Sequence, residues 1–257
     1  MNFQYKLYFF YADLCSAVMY VASHSNFFIV HANIFDVLDA LPENIDGIII
    51  TDPPYPELEH HRAIGTTTRL VRKWFPTLSW DEIYEVFYSL CSKFNELHLY
   101  VWCNAFSIWN AKYILDQIPG LRYWNILVWY KERLGMGYHY RHCVEFVLFY
   151  EKGKRKLNDL SIGNFFSEKV PYELREMHTT AKPIGMQTTL IMNSLRDGDT
   201  IIDPFMGIGT SLISVYLASQ ELGFQITYYG IEICEEYIEY ALFLAEQYGI
   251  PIELREA

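Results

Sequence analysis

Seven short apolar runs, at 28–31, 47–51, 97–102, 125–130, 144–150, 200–202 and 226–231, alternate with stretches of helical period. That rhythm restricts the chain to an α/β fold whose sheet is mostly parallel and covered on both faces. Helical patterns span 34–41, 80–93, 105–117, 184–195, 210–221 and 234–247. Ser79 precedes Trp80-Asp81-Glu82, an N-cap with a glutamate three residues on. The runs at 125–130 and 144–150 look like an antiparallel hairpin at a sheet edge, which makes the expected sheet seven-stranded. A chain of 257 residues suits one domain, and the irregular stretches 56–78 and 151–183 are read as loops inserted into it.

Two motifs sit where strands end. Thr51-Asp52-Pro53-Pro54-Tyr55 directly follows the run at 47–51. In open α/β sheets ligands bind beyond the carboxyl ends of the strands. Two consecutive prolines fix the backbone and bring no N–H donors, so the segment offers carbonyl acceptors, the Asp52 carboxylate and the flat face of Tyr55. Acceptors converging beside an aromatic plate suit an exocyclic amine on a base. The alternative is a plain Pro-Pro turn after a strand.

The second motif is Asp203-Pro204-Phe205-Met206-Gly207-Ile208-Gly209-Thr210, a strand end, a glycine turn and a helix start. Gly207 and Gly209 let the backbone approach a ligand closely. The strand that follows ends in Glu232, an acid placed to accept hydrogen bonds from ribose hydroxyls. A dinucleotide enzyme would share these features. The full G-x-G-x-x-G is absent, since Leu212 stands three residues after Gly209, and no P-loop lysine follows. A nucleoside carrying a sulfonium fits better than one carrying phosphates.

Composition sets outer bounds. Hydrophobic residues make up 51 % of the chain, enough for a packed core and too many for a disordered one. The five cysteines are scattered with no C-x-x-C pair, so no disulfide framework and no metal site is expected, and a reducing cytoplasm is. Asp13, His24 and Asn26 interrupt the apolar stretch 11–30, which argues against a membrane span. The formal net charge of −11 is unusual for a nucleic-acid binder. However, 11 of the 20 basic residues fall in the windows 62–73 and 131–156, while the region from Glu232 to Glu256 is acidic. A basic face on an acidic body and two solvated loops both fit that distribution.

Together these residues resemble the class β DNA amino-methyltransferases, the N6-adenine and N4-cytosine enzymes in which a DPPY segment comes early and the glycine-rich segment late. Three more segments share the resemblance: Asn33-Ile34-Phe35-Asp36; Arg141-His142-Cys143-Val144-Glu145 with Glu151-Lys152-Gly153; and His178-Thr179-Thr180-Ala181-Lys182-Pro183. It extends from about residue 28 to 245. Asn33 stands where the family usually has Asp, and Thr179 where the third segment usually has Pro.

The resemblance implies a Rossmann-like fold in permuted order, S-adenosylmethionine as cofactor, and DNA as partner. A homodimer or a companion specificity subunit would be compatible with the family. It implies that Asp52, Pro53 and Pro54 orient the target amine while Tyr55 stacks on a flipped base. Asn33, Ile34, His178, Lys182, Pro183, Asp203, Pro204, Phe205, Gly207, Gly209, Thr210 and Glu232 are then expected at the cofactor. Arg62, Arg69, Arg72, Lys73, Arg141, Lys154, Arg155 and Lys156 are expected along the nucleic acid, with target recognition in the two inserted loops. The expected product is N6-methyladenine in DNA. N4-cytosine methylation, adenine methylation of RNA and a non-catalytic subunit are the alternatives.

Overall fold

All seven apolar runs form strands, and they lie side by side in one sheet. The structure, a computed structural model, describes residues 18–22, 26–56, 76–135, 139–250 and 252–255. In chain order its elements are β1 (Val18–Ala22), β2 (Asn26–His31), α1 (Ile34–Val37), β3 (Ile45–Thr51), α2 (Trp80–Ser92), β4 (Phe94–Cys103), α3 (Ile108–Leu115), β5 (Leu121–Tyr130), β6 (Val144–Lys152), β7 (Phe165–Ser167), α4 (Tyr172–Met177), α5 (Ile184–Ser194), β8 (Thr200–Asp203), α6 (Thr210–Leu222), β9 (Thr227–Glu232), α7 (Glu235–Gln247) and β10 (Ile252–Arg255).

The sheet order is β10-β1-β2-β9-β8-β3-β4-β6-β5-β7, ten strands among the described residues where seven were expected. The added strands β1, β7 and β10 lie at its two edges. β2, β9, β8, β3 and β4 are mutually parallel. β6 runs antiparallel between β4 and β5, so the hairpin is built into the sheet, and β7 pairs outside it with β5.

The strands are apolar throughout because both faces are covered. On β3, Ile49 packs toward α1, α2 and α3, while Ile48 and Ile50 pack toward α5, α6 and α7. α2 shows how a helix is tied to such a face. Its Ile83, Val86, Phe87 and Leu90, spaced i, i+3, i+4 and i+7, are fully or almost fully buried. Each contributes roughly 1.5–3 kcal/mol by leaving water. Gly47 lies opposite Thr200, and a Cβ there would sit 1.8 Å from the Thr200 carbonyl oxygen, so only glycine lets β3 and β8 pair this closely.

This pairing positions the site. The chain leaves β8 for β9 on one side and leaves β3 for β4 on the other, which makes the β8–β3 boundary the switch point where an open sheet parts its connections. Thr51, Cys103, Asp203, Glu232 and His31 all end strands at this carboxyl edge, and antiparallel β6 brings its first residues there.

Candidate active site

Asp52 to Tyr55 leave β3 at the switch point. The Tyr55 N–H donates to the Pro53 carbonyl (2.9 Å), and the Leu78 N–H donates to the Pro54 carbonyl (2.9 Å). The Pro54 acceptor expected for an amine is thus already used to pin the returning chain, while Pro53 keeps a second lone pair. Tyr55 departs further from expectation. It is 2 % exposed; its ring packs on Trp80 at 5.1 Å, and its hydroxyl donates to the Trp102 carbonyl (2.8 Å). The open aromatic plate anticipated for a base is turned inward here, and stacking on a base requires the ring to leave that packing. Asp52 is half-buried, with 34 % of its side chain exposed.

Lys182, expected at the cofactor, reaches Asp52. Its ammonium pairs with Asp52 Oδ2 at 2.6 Å and donates to Glu145 Oε2 at 3.0 Å, and Lys131 pairs with the other Glu145 oxygen. The four side chains arrive from β3, the segment before α5, β6 and the end of β5. Burial pushes the Asp52 carboxyl above its ordinary value, with Lys182 opposing the rise and Glu145 adding to it. Burial would raise Glu145 too, yet Lys182 and Lys131 outweigh it and hold Glu145 low. Burial alone would lower Lys182, but Asp52 and Glu145 carry it above the usual lysine value, so it stays charged. A small cavity lined by Trp129, Lys131, Arg133, Glu145, Thr180 and Ala181 opens beside the cluster. Neither Glu145 nor Lys131 stood out as a site residue in the sequence. The signal was there in Glu145, a lone carboxylate in the otherwise apolar run Val144-Glu145-Phe146-Val147-Leu148.

Across the switch point, β8 ends in Asp203. This carboxylate is 4 % exposed; Oδ1 accepts from the Phe205 N–H (3.1 Å) and Oδ2 from the Ser211 hydroxyl of α6. Asp203 therefore braces the start of the glycine turn. Burial pushes it up to about 7, against the opposing Ser211 hydrogen bond. Glu232 is fixed by two backbone donors, Gly207 N–H on Oε2 and Cys234 N–H on Oε1, each at 2.8 Å. Burial raises its pKa and these N–H groups oppose the rise. Gly207 has φ +58°, and nothing lies within 4 Å of where a Cβ would stand, so its face is open.

The remaining expected cofactor residues divide between open and structural positions. Asn33 is exposed and caps α1 by accepting from the Phe35 N–H (3.2 Å), next to Ala32, whose N–H donates to the Glu232 carbonyl. Ile34, Pro183, Pro204 and Thr210 are buried, Phe205 is half-buried, and Gly209 caps α6 in the left-handed region. His178 packs edge-on against Tyr237 at 4.7 Å. Burial, with the Lys182 charge adding, lowers it to about 4, so it is neutral at pH 7.

Of the expected nucleic-acid residues, Arg62, Arg69, Arg72 and Lys73 lie outside the described residues. Arg141 is exposed at the carboxyl edge and donates to the Leu134 and Gly135 carbonyls. Of the other three, Arg155 is corrected by the structure. Arg155 is 2 % exposed, paired with Asp199 and donating to the Ser194 carbonyl, so no phosphate can reach it. Lys154 and Lys156 are exposed, but the register Lys152↔Leu97 puts them at the opposite, amino edge of the sheet. The stretch 151–183 is also less of a loop than expected, since it holds the end of β6, β7 and α4.

Residues 47–243 match the family described as DNA methylase, the N6/N4 methyltransferases. The type II methyltransferase M.HhaII of Haemophilus parahaemolyticus is 27 % identical over 188 residues, which cover 68 % of this chain and 79 % of that protein. The crystal structure of the M1.HpyAVI–SAM complex superposes with a TM-score of 0.59 at 23 % identity, covering 84 % of this chain and 98 % of that one. The cytosine-N4-specific PvuII DNA methyltransferase superposes at 0.60 with 12 % identity, covering 85 % and 86 %. At these identities the two superpositions speak for the shared fold.

Proposed function

The chain belongs to the N6/N4 DNA methylase family, which methylates exocyclic amines of DNA bases with S-adenosylmethionine, and from that premise we propose that its target is N6 of adenine and that Asp52 acts on the amine. The observation carrying this reading is the adjacency of β3 and β8: Asp52 and the Gly207 turn follow neighbouring parallel strands at the same carboxyl edge. The residues suit the cofactor. The open face of Gly207 lets the protein backbone lie close to a ligand, and Glu232, held by two N–H donors, keeps lone pairs for the ribose hydroxyls. Asn33 and Phe205 flank that position from β2 and β8.

Bound S-adenosylmethionine would supply an activated methyl group and keep the carbon–sulfur electron pair as the departing thioether, and the amine nitrogen that receives the methyl would release one N–H proton to water. Asp52 accepts a hydrogen bond from the amine and turns its lone pair out of the ring plane, and its negative charge stabilises the positive charge that grows on nitrogen. Holding the nitrogen in line supplies much of the acceleration. The target base leaves the duplex at a cost of a few kcal/mol. A carboxylate is a stronger acceptor than the serine hydroxyl common in cytosine enzymes of this resemblance, which favours adenine.

Mass spectrometry of nucleosides from treated DNA tests the base. N6-methyladenine is the expected product, and a product dominated by N4-methylcytosine overturns the assignment. Asp52→Ala is expected to lose about 10²–10³-fold in rate while cofactor affinity stays close to the parent's. Glu232→Ala is expected to weaken the cofactor by roughly 1.5–3 kcal/mol in calorimetric titration. Parent-like turnover of Asp52→Ala removes the catalytic site from this position.

A further inference from the structure

We propose that Lys182, held from behind by Glu145 and Lys131, is a positioning residue for Asp52 and not a ligand of the cofactor. The proposal rests on the reading of Asp52 given above and adds to it the groups that make this carboxylate competent. Lys182 is 8 % exposed, and two of its three donors are committed, one to Asp52 Oδ2 and one to Glu145 Oε2. Its charge also lies 5.4 Å from the centre of the Trp102 ring, a favourable cation–π placement in the same buried wall. Glu145, likewise 8 % exposed, gives one oxygen to Lys182 and the other to Lys131. Charges therefore alternate along Lys131–Glu145–Lys182–Asp52, and the cluster is neutral when all four are ionised.

Two consequences follow for Asp52. With Oδ2 held by Lys182, the carboxylate has one orientation, and Oδ1, without a partner among the described residues, is the oxygen left for an amine. Asp52 must also be ionised for its charge to stabilise the positive charge that grows on nitrogen. Burial works against that, and the Lys182 ammonium at 2.6 Å is the favourable charge closest to hand. The charged or titratable groups facing Asp52 are Lys182 from the segment before α5, Glu145 from β6, Lys131 after β5 and the Cys103 thiol from β4, which burial keeps neutral by raising it to about 12. Glu145 has opposite effects in this set: it anchors Lys182, yet its own charge disfavours ionisation of Asp52.

This arrangement gives opposite signs on opposite sides of the chain of charges. Activity needs the Asp52 carboxylate and is lost as pH falls through its pKa. Removing the Lys182 charge raises that pKa, so the acidic limb of the rate profile moves up. Removing the Glu145 charge lowers it, so the limb moves down. The test is single-turnover methylation of DNA at saturating S-adenosylmethionine over about pH 5–9, with cofactor affinity measured alongside by calorimetry. Lys182→Met is expected to move the limb up by about 1–3 units with near-parent cofactor affinity. Lys182→Arg is expected to restore the parent limb, and Glu145→Gln to move it down.

A Lys182→Met protein that loses about tenfold or more in cofactor affinity with its limb unmoved overturns the proposal and makes Lys182 a cofactor ligand. Shifts of the same sign in Lys182→Met and Glu145→Gln also overturn it. Should Lys182→Met fail to fold, Glu145→Gln decides alone, an unmoved limb counting against the proposal. Asp52→Asn separates the two levels of argument. A parent-like rate in Asp52→Asn defeats the reading of Asp52 itself, whereas an inactive Asp52→Asn beside an unmoved Lys182→Met limb defeats only the role given to Lys182.

Discussion

Asp203 and Glu232 end neighbouring strands and have the same chemistry, but their surroundings give them different work. Asp203 is buried against the turn it braces, and its pKa of about 7 stands well above the ordinary 3.8. The folded chain therefore keeps a proton that the unfolded chain releases, so the associated stabilisation is complete below about pH 4 and is lost as pH rises through about 7. Asp203→Asn removes this dependence. In urea unfolding at a series of pH values, the parent's stability is expected to fall between about pH 4 and 7 by on the order of 4 kcal/mol more than that of Asp203→Asn. Equal slopes would show that Asp203 is ionised in the fold. Both acids were legible in the sequence as strand-end carboxylates beside glycines. Their directions were not, because Ser211, which accounts for the inward turn of Asp203, lies a helix start away and nothing in the spacing aims one at the other. The same holds for Lys182 and Tyr55. Their positions in the motifs were readable, but Lys182 meets Asp52 and Glu145, and Tyr55 meets Trp102, only through strand adjacency.

Among elements, α2 is the clearest case of local sequence carrying over into structure. Its start was readable as an N-cap, and the structure has the full capping box. The Ser79 side chain accepts from the Glu82 N–H, and the Glu82 carboxylate accepts from the Ser79 N–H at 2.7 Å. The first helical residue, Trp80, packs on Tyr55, so the cap also steadies the back of the segment from Asp52 to Tyr55. Ser79→Ala is expected to cost about 1 kcal/mol of stability, seen as a lower denaturation midpoint with an unchanged denaturant slope. No loss would mean the helix end is held by Trp80 packing alone. The strands missed in the sequence have a shared cause. β7 has three residues and exists because Val128, Trp129 and Tyr130 of β5 lie beside it, while β1 and β10 pair with each other at the far edge. Such strands are made by partners distant in sequence, which leaves little trace in local composition. α4 is similarly faint: six residues anchored by the single buried Leu174.

At the scale of the molecule, the remaining question is how a chain of net charge −11 holds DNA. Binding depends on where positive charge lies relative to the carboxyl edge with its proposed site, because phosphate contacts act over about one Debye length, roughly 8 Å at physiological salt. The fold sorts the basic residues by edge. Arg133 and Arg141, in the connection from β5 to β6, stand at the carboxyl edge with Asp52, and both are exposed. Lys154 and Lys156 are exposed at the amino edge, across the full length of β6. The segment carrying Arg62, Arg69, Arg72 and Lys73 leaves from Pro56 and rejoins at Pro76, close to where Leu78 bonds Pro54, so both its flanks are at the carboxyl edge. Net charge is then a poor guide, and local placement decides. Reversing Arg133 and Arg141 to Glu is expected to weaken DNA binding and to reduce the slope of log affinity against log salt by about one per lost phosphate contact. Reversing Arg69 and Arg72 is expected to do the same. Reversing Lys154 and Lys156 makes an equal change in net charge at the wrong edge and should leave both affinity and slope near the parent's. Fluorescence anisotropy with a labelled duplex over a salt series measures all three pairs together. If the Lys154 and Lys156 pair weakens binding as much as the others, total charge governs binding and the carboxyl edge is not the DNA face.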